Sequence, residues 1–221
     1  MNLFDIVGPV MVGPSSSHTA GAVKIGRVAK KLFGKDIDKA TINLYGSFLT
    51  TGKGHGTDKA IVAGLLGLDV DDDNIPISFD IAKDKGIDIT FGVASLSENA
   101  HPNSAQIILK DKEGVSLELV ASSIGGGRIM VNEIDGLTAN FSGDYPTLIV
   151  HNDDQPGHVA EVTSMLQHKM VNIATMQLYR SGRGGNAVMI IECDSEIPEC
   201  SVKWLEHLEG VNKVTYFNPN D

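Results

Sequence analysis

The order of hydrophobic periods between Thr147 and Phe217 constrains the fold of this chain most. Thr147–His151 is a short apolar strand, and Asn152–Gly157, with Asp154-Gln155-Pro156-Gly157, is a turn. Val159, Val162, Met165 and Leu166 then recur at helical spacing up to Lys169. Val171–Tyr179 and Asn186–Cys193 read as strands joined by the Gly-rich hairpin connection Arg180–Gly185. Pro198–Leu208 is a second helix, with Pro198 in its first turn and Gly210 past its end, and Asn212–Phe217 closes as a strand. A βαββαβ order of this kind fits a ferredoxin-like arrangement.

The stretch Leu137–Pro146 is polar and ends in Gly and Pro, so it reads as a linker. It predicts two domains, 1–145 and 146–221, and a chain of 221 residues, 42% hydrophobic, can bury the cores of both. The first domain reads as α+β. A helix is expected over Ala20–Phe33, a strand over Lys39–Tyr45 and a helix over Lys59–Leu66. Further strands are expected near Ile87–Phe91, Ala105–Leu109, Ser116–Ala121 and Arg128–Ile134. The fold class is therefore α+β throughout.

Charge excludes several partners. The net charge is −10, and acidic residues outnumber basic ones on both sides of the linker, which argues against nucleic acid or an anionic membrane surface. No apolar run approaches the length of a membrane span, and Met1–Asp5 has no charged segment leading into an apolar one, so a cytoplasmic protein is expected. Cys193 and Cys200 are too few and wrongly spaced for a structural zinc or an iron–sulfur cluster. Asp69–Asp73 lacks the Gly and Glu spacing of a calcium loop and reads as a solvated acidic turn, so no metal site is assigned.

Four polar, Gly-rich clusters fall at the ends of predicted elements and look like the walls of one site. The first runs from Gly8-Pro9 to Gly13-Pro14-Ser15-Ser16-Ser17-His18-Thr19, ahead of a helix whose unpaired amides suit an anion. The second is Gly52-Lys53-Gly54-His55-Gly56-Thr57-Asp58, where Thr57 or Asp58 can cap the following helix. The third is His101-Pro102-Asn103-Ser104, and the fourth is Ser122-Ser123-Ile124-Gly125-Gly126-Gly127. A Ser-His hydrolase is disfavoured, because no serine sits in a G-x-S-x-G elbow.

These clusters resemble the beta chain of the iron–sulfur-dependent, two-chain bacterial L-serine dehydratases. The first domain is also similar to the allosteric substrate-binding domain of some phosphoglycerate dehydrogenases, which holds an anion. The C-terminal βαββαβ order, with Asp154-Gln155-Pro156-Gly157 opening a helix and Val171-Asn172-Ile173 opening a strand, resembles an ACT domain. The resemblance implies elimination of water from L-serine, followed by release of pyruvate and ammonia, in amino-acid degradation and gluconeogenesis. It implies a partner alpha chain carrying a [4Fe–4S] cluster as Lewis acid. It further implies self-association through the ACT domain, an amino-acid effector near Asp154, Gly157 and Asn172, and a monovalent cation such as potassium there. Turn and cap roles for Asp154 and Gly157 are the plain alternative.

Such an elimination needs a base for a weakly acidic α-proton and dipoles for the carboxylate. His55, between two glycines, is the candidate base, with His18 the other catalytic candidate; a surface-loop imidazole is the plain alternative for His55. Ser16, Ser17 and Thr19 are expected to bind the carboxylate, although Ser17 or Thr19 can equally cap the helix. Thr57, Asp58 and Asn103 are expected to contact substrate. Ser122 and Ser123 are expected to bind an anion, against a plain role at a strand end. His101 before Pro102 can simply fix a turn. A non-catalytic sensor of a small anion or amino acid is the competing function.

Overall fold

A computed structural model describes residues 10–220, so the Gly8-Pro9 turn lies outside the described residues. The chain divides into two compact units at Gly136/Leu137.

In the first unit a single π turn, Ser16–Ala20, runs into α1 (Gly21–Phe33), followed by β1 (Lys39–Leu44). Next come α2 (Gly46–His55), α3 (Thr57–Leu66), a 3-10 turn over Ile75–Ile77 and α4 (Ser78–Asp84). The remaining strands are β2 (Asp88–Val93), β3 (Ser104–Lys110), β4 (Ser116–Gly125) and β5 (Arg128–Ile134). They lie in the order β2-β1-β3-β4-β5, with β1 and β2 parallel and the other neighbours antiparallel. Alternation along β1, with Ala40, Ile42 and Leu44 buried, turns one face of the sheet to the core. Helix α1 packs on that sheet through β4 and β5 and carries α3 on its other side.

Helix α3 is buried from Ala60 to Leu66, so it is apolar around its circumference. It crosses α1 where Gly26 meets Gly64: a Cβ on Gly64 would run into the Val23 carbonyl oxygen, and one on Gly26 into that of Ile61. The crossing admits no side chain.

The second unit begins with β6 (Leu137–Phe141), where a linker was expected. Ala139 and Phe141 alternate inward and Phe141 meets Phe217 at 6.2 Å between centroids, so the polar residues between them form the outer face of a strand. The expected boundary at 145/146 therefore falls inside this unit. Then follow β7 (Thr147–Asp153), α5 (His158–His168), β8 (Ile173–Arg180), β9 (Asn186–Cys193), α6 (Glu199–Glu206) and β10 (Val211–Phe217). Their sheet is antiparallel in the order β10-β7-β9-β8, which is the ferredoxin-like order. Leu148, Val150, Met189 and Ile191 from the sheet bury against Val162, Leu166 and Leu205 from the helices. No helix among the described residues is long and apolar enough to cross a membrane.

Candidate active site

The first motif forms a tight entry to α1. Ser15 has an extended backbone and its hydroxyl accepts from the His18 amide at 3.1 Å, so Ser15 is the cap in place of Ser17 or Thr19. Gly13, at φ 130°, brings the chain against Thr19, where a Cβ would clash. The wider π turn that follows carries His18.

The second motif, expected as a polar cluster ahead of a helix, is itself helical up to His55, which sets aside the surface-loop alternative. Helix α2 starts because the loop at 101–103 satisfies its first amides: the Pro102 carbonyl accepts from Ser47 at 2.7 Å and from Phe48 at 3.4 Å. Gly46, at φ 55°, permits the close approach, since a Cβ there would lie 2.6 Å from the Pro102 oxygen. Gly56 in the left-handed conformation ends α2, and Thr57 opens α3 at once.

Two threonines join the motifs reciprocally. The Thr19 hydroxyl donates to the His55 carbonyl at 3.2 Å, and the Thr57 hydroxyl donates to the His18 carbonyl at 2.9 Å. The imidazoles of His18 and His55 consequently face each other with centroids 5.0 Å apart. His18 Nε2 lies 3.0 Å from Ser47 Oγ and 3.1 Å from Thr51 Oγ1, with its ring edge-on to Phe48. His55 Nδ1 donates to the Thr51 carbonyl at 3.1 Å, which leaves Nε2 without a partner among the described residues. Burial pushes the His18 imidazole below its ordinary 6.5, nearby His55 adds repulsion, and a hydrogen bond to the Ser47 backbone opposes both.

The expected substrate contacts divide. Ser16 and Ser17 are half-buried on the π turn, with hydroxyls unbonded to described residues. Asn103 is half-buried in the loop that caps α2; its amide donates to His101 Nδ1 at 3.1 Å, so His101 does fix that turn. Thr19 and Thr57 are buried, with hydroxyls spent on the two carbonyls, so they hold the histidines and do not face a ligand. Asp58 is half-buried in the first turn of α3, its carboxylate accepting from the Lys59 amide at 2.8 Å.

Ser122 and Ser123 lie inside β4, not beyond its end. Ser122 is bonded to Ser104 at 2.8 Å and to Asn132 at 2.6 Å, and Ser123 is fully buried against Gly21 of α1. Neither is open to an anion. Gly125, Gly126 and Gly127 all have positive φ and form the turn between β4 and β5. Ser47, Thr51 and Phe48 were not singled out from sequence. Their spacing at i, i+1 and i+4, with His55 at i+8, becomes informative once 46–55 is known to be helical.

The proposed effector residues do not assemble within one unit. Asp154, after β7, accepts from Arg180 Nε at 2.8 Å and from the Gly184 amide at 2.8 Å, an arrangement that pins the β8–β9 hairpin. The Arg180 hydrogen bond, then that of Gly184, holds its carboxyl below the ordinary 3.8. Gly157, at φ 114°, precedes α5 at the same end of the sheet. Asn172 precedes β8 at the opposite end and donates to Asp194 at 2.6 Å.

Among the described residues no three His, Cys, Asp or Glu side chains gather to hold a metal. Cys193 is buried, with its thiol pushed up to about 11 by burial and then by Asp194, while Cys200 is exposed on α6. These residues do not fit an iron–sulfur cluster.

Fold and site define a two-unit α+β protein with a paired-histidine centre ahead of a ferredoxin-like unit. The family model described as serine dehydratase beta chain matches residues 2–84, a stretch that contains His18, Ser47, Thr51 and His55. The probable L-serine dehydratase beta chain of Bacillus subtilis is 44% identical over 97% of this chain and 96% of its own. The L-serine dehydratase beta chain of Peptoniphilus asaccharolyticus is 38% identical over 89% of this chain and 88% of its own. D-3-phosphoglycerate dehydrogenase of Methanocaldococcus jannaschii is 25% identical over 89% of this chain and 37% of its own. This chain belongs to the family of L-serine dehydratase beta chains.

Proposed function

We propose that this chain supplies the acid/base half of an L-serine dehydratase whose alpha chain carries a [4Fe–4S] cluster as Lewis acid for the serine hydroxyl. His55 takes the α-proton of L-serine through Nε2. The observation that carries this reading is the tether of His55 Nδ1 to the Thr51 carbonyl, which leaves the opposite ring nitrogen with a lone pair in the neutral ring. His18 faces it at 5.0 Å between centroids, and its lowered proton affinity keeps that neighbour uncharged near neutral pH. Ser16 and Ser17, on the same turn as His18 and with hydroxyls unbonded among the described residues, bind the substrate carboxylate, and Asn103 orients the substrate from the adjoining loop.

The ferredoxin-like unit is the regulatory, ACT-like part and pairs with a copy of itself. Its effector is an amino acid held near Gly157 and the α5 amides, with a monovalent cation as a further activator there. The test is anaerobic copurification with the alpha chain followed by a serine-to-pyruvate assay. Turnover should require both chains. Turnover by this chain alone, without iron, overturns the division of labour.

A further inference from the structure

Thr51 touches both histidines, and its protons can be counted. A threonine hydroxyl has one proton to give and a carbonyl oxygen none. Thr51 Oγ1 lies 2.8 Å from the Ser47 carbonyl oxygen, one turn back along α2, so its proton goes there. Toward His18 Nε2 at 3.1 Å, Thr51 Oγ1 is then an acceptor, and two lone pairs facing each other at that distance would repel. Nε2 of His18 must therefore carry hydrogen. The Ser47 hydroxyl, 3.0 Å from Nε2, accepts as well and passes its own proton to Thr51 Oγ1 at 3.2 Å, so every proton has an acceptor. On its other side the Thr51 carbonyl can only accept, which places hydrogen on His55 Nδ1.

We infer that Thr51 holds the two imidazoles in opposite neutral tautomers, His18 protonated on Nε2 and His55 on Nδ1, with lone pairs left at His18 Nδ1 and His55 Nε2. Thr51 is thus a positioning residue. The tautomer pair stands on the hydrogen bonds alone, whereas its catalytic consequence rests on His55 being the base. With the reverse tautomer His55 Nε2 would carry hydrogen and have no lone pair for the α-proton.

The experiment is a long-range proton–nitrogen NMR correlation on the full 15N-labelled chain, at a pH above the histidine titrations. Wild type and Thr51→Ser should give Nε2–H for His18 and Nδ1–H for His55. Thr51→Val should move His18 to a tautomer mixture and leave His55 unchanged, because the Thr51 carbonyl stays. An Nδ1–H signal for His18 in wild type, or an unchanged Thr51→Val spectrum, overturns the inference. If Thr51→Val fails to fold, the wild-type spectrum still decides the tautomers. Wild-type turnover in His55→Gln with both tautomers as stated would sink the assignment of the base and leave the tautomer pair standing.

Discussion

A histidine serves as a general base when it is neutral and one ring nitrogen is unbonded, and among the described residues His55 meets the second condition through its tether to Thr51. His55→Ala should therefore lower turnover of L-serine by about 10² or more while leaving the denaturation midpoint and alpha-chain association nearly unchanged. A variant with wild-type kcat would move the proton transfer to another group, His18 first. His18 titrates below 6.5 in the folded chain because it is desolvated and repelled by His55. The unfolded chain thus binds a proton that the folded one refuses. The stability this confers is full above 6.5 and is lost as pH falls through the folded value. Denaturation midpoints of His18→Gln should fall less steeply below 6.5 than those of wild type; equal slopes would place the titrating group elsewhere. His55→Gln should raise the His18 titration midpoint seen by NMR, since it removes the repelling charge.

Among the elements, the crossing of α1 and α3 fixes the distance between the two histidine motifs, because Thr19 lies just before one helix and Thr57 begins the other. Gly64→Ala pushes a methyl into the Val23 carbonyl, which should cost about 1–3 kcal/mol in chemical denaturation and also reduce turnover. A stable, fully active Gly64→Ala would show that the crossing has slack. Helices with sustained periodicity and strands rich in branched residues were legible from sequence, down to β5 and β9 with their expected limits. Helix α2 was not, because Gly46-Ser47-Phe48-Leu49-Thr50-Thr51-Gly52-Lys53-Gly54-His55 is poor in helix formers and owes its start to a carbonyl from a distant loop. Strand β6 was missed because its outward polar residues outweigh Ala139 and Phe141 when the segment is read alone.

At the scale of the whole molecule, all the proposed catalytic groups lie before residue 137, and the ferredoxin-like unit carries none of them. Its edge strand β8 presents unpaired backbone groups and exposed Leu178, which suits addition of a second sheet edge. Removing residues 137–221 should lower the number of copies per particle seen by sedimentation and alter activation by serine or potassium more than it alters kcat. An unchanged copy number and unchanged activation curves would remove both the self-association and the regulatory role from this unit.

The sequence by itself determined the α+β class, the ferredoxin-like order of the second unit, the family and the two histidines, because period, turn residues and local motifs are properties of neighbouring positions. Tertiary structure alone decided that His18 meets His55, that Ser47 and Thr51 bond His18 while Thr51 also bonds His55, and that Thr19, Thr57 and Ser122 are spent on internal hydrogen bonds. It likewise decided that Asp154 answers Arg180 and that Asn172 sits at the far end of the sheet. The physical reason is that a hydroxyl or carboxylate has few bonds to make. Which partner takes them depends on chain segments that pack together from far apart in sequence.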